Sequence, residues 1–335
     1  MKKIGVLFGV ENSFPSALVE RINTRVPGGA RNPGGVEAEF VQTGAVHLRQ
    51  APRYAVILDR ISHEIPFYRA FLKHAALNGT AVVNDPFRCS ADDKFHNYAI
   101  AARLGVAVPP TFLLPHKLYP NGITEKSLRN LEFPLDWEAV FTSIGEHGFL
   151  KPIDGGGWRD VNEFRGRDEF FRAYDQSRDL CMVAQKAVEH TEYFRCFVAG
   201  PKKVRIMAYD PRRPHAERYL KSDGRARTLA AKRLCRRMEE DALKLCRALG
   251  YEINSVEFAV ENGIPYAIDF LNPVPDADVH SVGEEHFEWI VENVADFLIA
   301  KARTGRRPQW ADLEGAKGSR SAKRRGPARV AANAE

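Results

Sequence analysis

Residues 255–276 read SVEFAVENGIPYAIDFLNPVPD. Apolar and polar residues alternate through SVEFAVEN and again through IPYAIDF, the period of a half-buried strand. Asn262-Gly263 stands between the two runs, and this dipeptide is the strongest short-range hairpin signal. Glu257 and Asp269 therefore fall on paired strands, with Asn272 just beyond the second. Apolar neighbours flank both acids, so each needs a partner or a cation to be tolerated. Two carboxylates and an amide oxygen suit Mg²⁺, which keeps waters and binds substrate phosphates as well. Capping of strand ends, or pairing with arginines, is the competing explanation for these acids.

Upstream, YFRCFVAG and KKVRIMAYD read as two strands joined by a Gly-Pro turn, a second hairpin. It carries Arg195 and Arg205, whose planar forks suit a substrate carboxylate; solvated arginines are the alternative. A long helix from about residue 226 to 249 separates the hairpins, with Leu234, Met238, Ala242, Leu245 and Leu249 on one face and Gly250 as its stop. Further upstream, FLKPIDGGGWRDV places Lys151 at the end of a buried strand, directly before Gly155, Gly156 and Gly157. Consecutive glycines let backbone N–H groups close over phosphate oxygens, although a flexible loop has the same composition. SADDKFHNYAIAARLGVAVPP reads as a helix capped by Ser90 and stopped by Gly105. Lys94 lies in its first turn, where a lysine opposes the helix dipole. Taken alone it reads as a solvated lysine.

The first 83 residues alternate strand and helix signals: a buried strand in KKIGVLFGV, a helix over residues 13–25, a Gly/Pro loop, strands in VEAEFVQTG and YAVILD, a helix closed by Asn78-Gly79, and a strand in TAVVN. This is the pattern of a small doubly wound α/β lobe. Ligands on such sheets sit at the carboxyl ends of the strands, near Gly9 to Asn12 and Asp59. A final helix from about residue 284 to 302 closes the fold.

The composition is 44% hydrophobic and 27% charged, which excludes a wholly disordered chain. No run approaches the ~20 apolar residues of a membrane helix. Glu11 interrupts the first apolar run too early for a signal peptide. Five scattered cysteines with no CxxC argue for reduced thiols and a cytoplasmic setting. The net charge of +6 comes mainly from residues 315–335, where six basic residues face one acid. Such a tail is expected to lack a packed core and to act as a solubilising segment; contact with nucleic acid is the less favoured reading.

Together these segments resemble the ATP-grasp superfamily, in particular its D-alanine–D-alanine ligase, glutathione synthetase and ribosomal-protein glutamate ligase branches. The resemblance spans about residues 1–304. It implies an α/β architecture: a pre-ATP-grasp lobe over 1–89, then an ATP-grasp domain over 90–304. That domain divides into a smaller lobe (about 110–187) and a larger one (about 188–304), with the basic tail at 305–335. By the same resemblance Lys94, Lys151 and Gly155 to Gly157 hold the ATP phosphates. Gln185, Lys186 and Val188 match the linker that contacts adenine, and Glu192 matches a ribose-binding acid. Arg218 resembles a lysine that reaches the γ-phosphate. Glu257, Asp269 and Asn272 match the metal ligands. Two departures stand out. The longer and shorter acids have exchanged places and one residue is inserted before Asn272, which a compensating bulge would absorb. Ser255 occupies the position of an arginine found in D-alanine ligases, which argues against that activity.

The implied activity is Mg²⁺-ATP-dependent ligation (Mn²⁺ as a substitute), joining a small-molecule or peptide carboxylate to an amine or thiol through an acyl phosphate. An ATP-grasp kinase and a non-catalytic nucleotide-binding module are the rival readings.

Overall fold

A computed structural model describes residues 1–25, 35–89, 93–214, 217–220 and 228–304. The expected Gly/Pro loop after Arg25, the Ser90 cap with Asp92, and the basic tail all fall, wholly or mostly, outside these residues. Alternating buried segments at the start of the chain build a four-stranded parallel sheet. Its strands are β1 (Lys2–Phe8), β2 (Val36–Phe40), β3 (Val56–Arg60) and β4 (Ala81–Val83), in the order β2-β1-β3-β4. Helices α1 (Ser13–Arg25) and α2 (Pro66–Leu77) connect them. Ile4, Val6, Val56 and Leu58 face the α1 side, whereas Leu7 and Ile57 pack toward α2, so the central strands β1 and β3 are buried on both faces.

The second sheet is antiparallel: β5 (Thr111–Leu114), β6 (His147–Pro152), β7 (Asn162–Arg165) and β8 (Met182–Lys186), ordered β5-β8-β6-β7. Helices α4 (Trp137–Ile144) and α5 (Arg167–Gln176) cover it through an aromatic core of Phe141, Phe164, Phe170 and Tyr174. The sequence reading found neither β5 nor β7. Each is four residues long, pairs with one neighbour only, and is too short for periodicity to register.

The third sheet holds the two hairpins: β9 (Glu192–Ala199), β10 (Lys203–Ala208), β11 (Ile253–Glu261) and β12 (Ile264–Asp269), ordered β10-β9-β11-β12. Strand alternation decides which core each side chain joins. Phe197 and Ala199 pack with α8 (Glu284–Thr304), while Cys196, Val198, Val256 and Phe258 pack with α6 (Leu229–Leu249). The same α8 cluster includes Leu18 and Ile22 of α1, so the third sheet and the parallel sheet share one core. A single turn of helix, α7 (Val279–Val282), precedes α8. Asn262 and Gly263 have φ of 52° and 75°, the left-handed pair that a two-residue hairpin loop requires.

Helix α3 (Lys94–Arg103) starts at Lys94 itself, with Asp93 as its N-cap accepting from the His96 N–H at 2.7 Å. Removing that cap with Asp93→Ala should cost about 1 kcal/mol, read as a lower thermal midpoint. An unchanged midpoint would mean that the contacts of Lys94 hold the helix start unaided. The described residues contain no helix long and apolar enough to cross a membrane, and none of the five cysteines is in a disulfide.

Candidate active site

The hairpin β11–β12 carries its acids opposite one another: Glu257 is the register partner of Asp269. A shift follows immediately, since Phe258 pairs with Ala267, which leaves Ile268 as the extra residue. This bulge precedes Asp269, so it does not absorb the inserted residue, which falls between Asp269 and Asn272. The direct pairing of Glu257 with Asp269 is what puts both acids opposite one another. Asn272 is placed from behind. Its N–H donates to Asn254 Oδ1 at 3.0 Å and its Nδ2 donates to Ser255 Oγ at 2.9 Å, while Asn254 Nδ2 donates to the Phe270 carbonyl at 2.9 Å. Ser255 thus helps to set the amide of Asn272.

Two lysines approach from the second sheet and from α3. Lys151 Nζ donates to Gln185 Oε1 at 2.8 Å, and Lys94 Nζ donates to the Gly155 carbonyl at 2.6 Å. The Lys94 backbone N–H donates to the Ile153 carbonyl, which ties the head of α3 to the glycine turn. Gly155 and Gly157 have φ of 86° and 68°, and Trp158 follows at 64°, so three nearby residues occupy the left-handed region. Such turns gather N–H groups into an anion-binding concavity. Lys94, Lys151 and Asp269 make no ion pair among the described residues, although their charges act on one another. Burial pushes the Lys151 ammonium down to about 8, with Asp269 opposing and Lys94 reinforcing the shift. Burial also lowers Lys94, against the pull of Asp269 and Asp154. Asp269 is raised by burial and then by Glu257, against Lys94 and Lys151. Asp269 is nevertheless an exposed residue at the end of β12.

The remaining sequence candidates divide. Gln185 is buried; its amide is spent on Lys151 and on Thr111 Oγ1 at 2.8 Å, so it forms part of the wall supporting Lys151. Lys186 is exposed, with its N–H on the Pro110 carbonyl, and Val188 is half-buried, with its carbonyl accepting from the His190 N–H. Glu192 is exposed at the start of β9. Arg218 donates from Nε to the Arg213 carbonyl at 3.0 Å and lies near Tyr209.

The sequence offered Arg195 and Arg205 either to a substrate carboxylate or to solvent; in the structure both pair with acids of the chain itself. Arg205 pairs with Glu285 and donates to His286 Nδ1 at 2.9 Å, which turns it toward α8. Arg195 pairs with Glu257, its register partner across β9 and β11. The sequence reading also missed the tyrosines around this pair. Tyr193 stands two residues before Arg195 on the same strand face, a spacing that could have singled it out, whereas Tyr209 and Tyr219 meet only through a bridge between distant segments.

Among the described residues no group of three or more His, Cys, Asp or Glu side chains is placed to hold a metal. Glu257, Asp269 and Asn272 supply at most two acids and an amide. That donor set still fits a hard divalent cation that takes its other ligands from phosphate and water. Asp269, which among the described residues closes no ion pair and lies opposite a second acid, is the observation that favours the fit.

No protein-family model matches the sequence, and no curated protein matches it. Solved structures do. An ATP-grasp RimK domain protein from Sphaerobacter thermophilus superposes with a TM-score of 0.60 at 18% identity, covering 88% of this chain and 98% of that one. The D-alanine–D-alanine ligase of Bacillus anthracis complexed with ATP gives 0.57 at 15% identity, over 91% and 98%. The ATP-grasp ligase PsnB, complexed with minimal precursor, Mg and ADP, gives 0.55 at 13% identity, over 90% and 98%.

Proposed function

Since the chain has the ATP-grasp fold, we propose that it is an Mg²⁺-ATP-dependent ligase that activates a carboxylate as an acyl phosphate and transfers it to an amine or thiol. The observation that carries this reading is the set of three mutually interacting charges, Lys94, Lys151 and Asp269, none of which has an ion-pair partner among the described residues. Two cations and one anion so placed match a polyphosphate that arrives with a divalent metal. In this reading residues 1–89 form the pre-ATP-grasp lobe, and the smaller and larger lobes of 90–304 close on the nucleotide.

Each residue then has a task. Lys94 and Lys151 bind phosphate oxygens and offset their charge, and the N–H groups of Gly155 to Gly157 close over them. The backbone of Lys186 and Val188 meets the base, Gln185 braces Lys151, Glu192 faces the ribose, and Arg218 adds positive charge near the terminal phosphate. Asp269, Glu257 and Asn272 would hold Mg²⁺, or Mn²⁺ in its place. When bound, the cation supplies charge neutralisation on the phosphates.

Calorimetric titration with a non-hydrolysable ATP analogue should show binding that requires Mg²⁺. No binding at millimolar analogue would end the proposal. A hydroxamate trapped by hydroxylamine would identify the acyl phosphate, whereas a stable phosphoester would mark a kinase. Protonation gives a further test. With its pKa at about 8, Lys151 is roughly half neutral at pH 8, and phosphate charge favours its protonated form. Binding the analogue at pH 8 should therefore take up about half a proton, measured as buffer-dependent heat. Lys151→Met should abolish the uptake.

A further inference from the structure

Glu257 has partners of its own. Tyr193 Oη donates to one of its oxygens at 2.5 Å, and Arg195 donates to the other from Nε at 3.1 Å and from Nη2. The guanidinium is itself held in place. It lies 4.1 Å from the centre of the Tyr209 ring, and it donates to the Tyr209 and Tyr219 hydroxyls at 2.9 Å each. The Arg195 and Glu257 side chains are only 12% and 13% exposed. Nε, Nη1 and Nη2 each have a partner within the protein, which uses four of the five N–H groups. Asp269, the register partner of Glu257, has no such partner. The two acids of one hairpin are thus treated differently: one is clamped by a cation and a phenol, the other is left open.

Resting on the ligase reading above, we propose that Arg195, collared by Tyr209 and Tyr219, is a positioning residue for the divalent-cation site. It fixes the Glu257 carboxylate so that, of the two acids, only Asp269 presents a charge without a partner. Arg195 therefore acts through Glu257 and does not touch the substrate. Groups that orient a metal-ligating carboxylate typically contribute ten- to a hundredfold in metal affinity or activity.

The test is a titration of full-length protein with Mn²⁺, in saturating non-hydrolysable ATP analogue, reading free Mn²⁺ by electron paramagnetic resonance. Arg195→Met should weaken Mn²⁺ binding by about ten- to a hundredfold. The double variant with Glu257→Gln should bind no more weakly than Glu257→Gln alone, because the two residues act as one unit. Tyr209→Phe with Tyr219→Phe keeps every charge and removes only the collar. It guards against misfolding of Arg195→Met and should weaken binding a few-fold, while Arg195→Lys restores part of the loss. Additive effects of Arg195→Met and Glu257→Gln would overturn the proposal. So would unchanged Mn²⁺ affinity in both the Arg195 and the tyrosine variants. Wild-type protein that binds the analogue but shows this additivity would sink only the role of Arg195; wild type that binds neither analogue nor Mn²⁺ would sink the ligase reading itself.

Discussion

Asp269→Asn is expected to lower ATP turnover by about three orders of magnitude, the scale set by losing several kcal/mol of charge stabilisation at the phosphates, while the chain stays folded. Asp269 ends β12 opposite Glu257 and has no ion-pair partner among the described residues. Burial and the neighbouring carboxylate both push its proton affinity up. For a carboxyl group raised in the folded state, stability is greatest below the ordinary carboxylate range and falls as pH rises through the raised value. At neutral pH, without metal, the ionised group therefore costs stability. Asparagine keeps the shape and removes the charge, so the variant should melt higher than wild type in EDTA at pH 7, with the gap narrowing toward pH 4. Mg²⁺ with nucleotide should reverse the order, because it stabilises wild type more. If Asp269 were a structural partner of a cation, the variant would instead melt lower in EDTA. Equal stabilisation of the two proteins by Mg²⁺-ATP would exclude it as a ligand.

Lys151→Met should weaken binding of the ATP analogue by ten- to a hundredfold, as expected for one charge-assisted hydrogen bond of about 1.5–3 kcal/mol. Turnover should fall further, since the charge also offsets the transferring phosphate. The fold should tolerate the change. Lys151 is depressed to about 8 by burial, so its ammonium costs stability below that pH, a cost relieved as pH rises toward the ordinary lysine range. Methionine fills similar volume and carries no charge. The thermal midpoint at pH 7 should therefore hold or rise, although Gln185 Oε1 loses its nearest donor. A large drop in midpoint would make Lys151 structural, and unchanged nucleotide affinity would remove it from the site.

The sequence by itself determined the longer elements and which strands carry the candidate acids. The Asn262-Gly263 turn and period-2 alternation placed Glu257 and Asp269 on paired strands, and the structure pairs them directly. The 3.6-residue period read from about residue 226 to 249 marked the buried face of α6, four of whose five named residues are buried. These are local properties, set by backbone geometry over a few residues, so they are written in consecutive letters. Only the tertiary structure decided which charges are spent on each other. Arg195 lies sixty-two residues from Glu257 and Arg205 eighty from Glu285, yet each pair is closed. The first depends on the register of β9 against β11, the second on where α8 lies along β10. Gln185, a nucleotide-contact candidate in the chain, also accepts from Lys151 in the fold, a contact that consecutive letters do not show. An ion pair buried between distant strands leaves no periodic trace in sequence. Its partners are chosen by register and by the high cost of leaving either charge unpaired away from water.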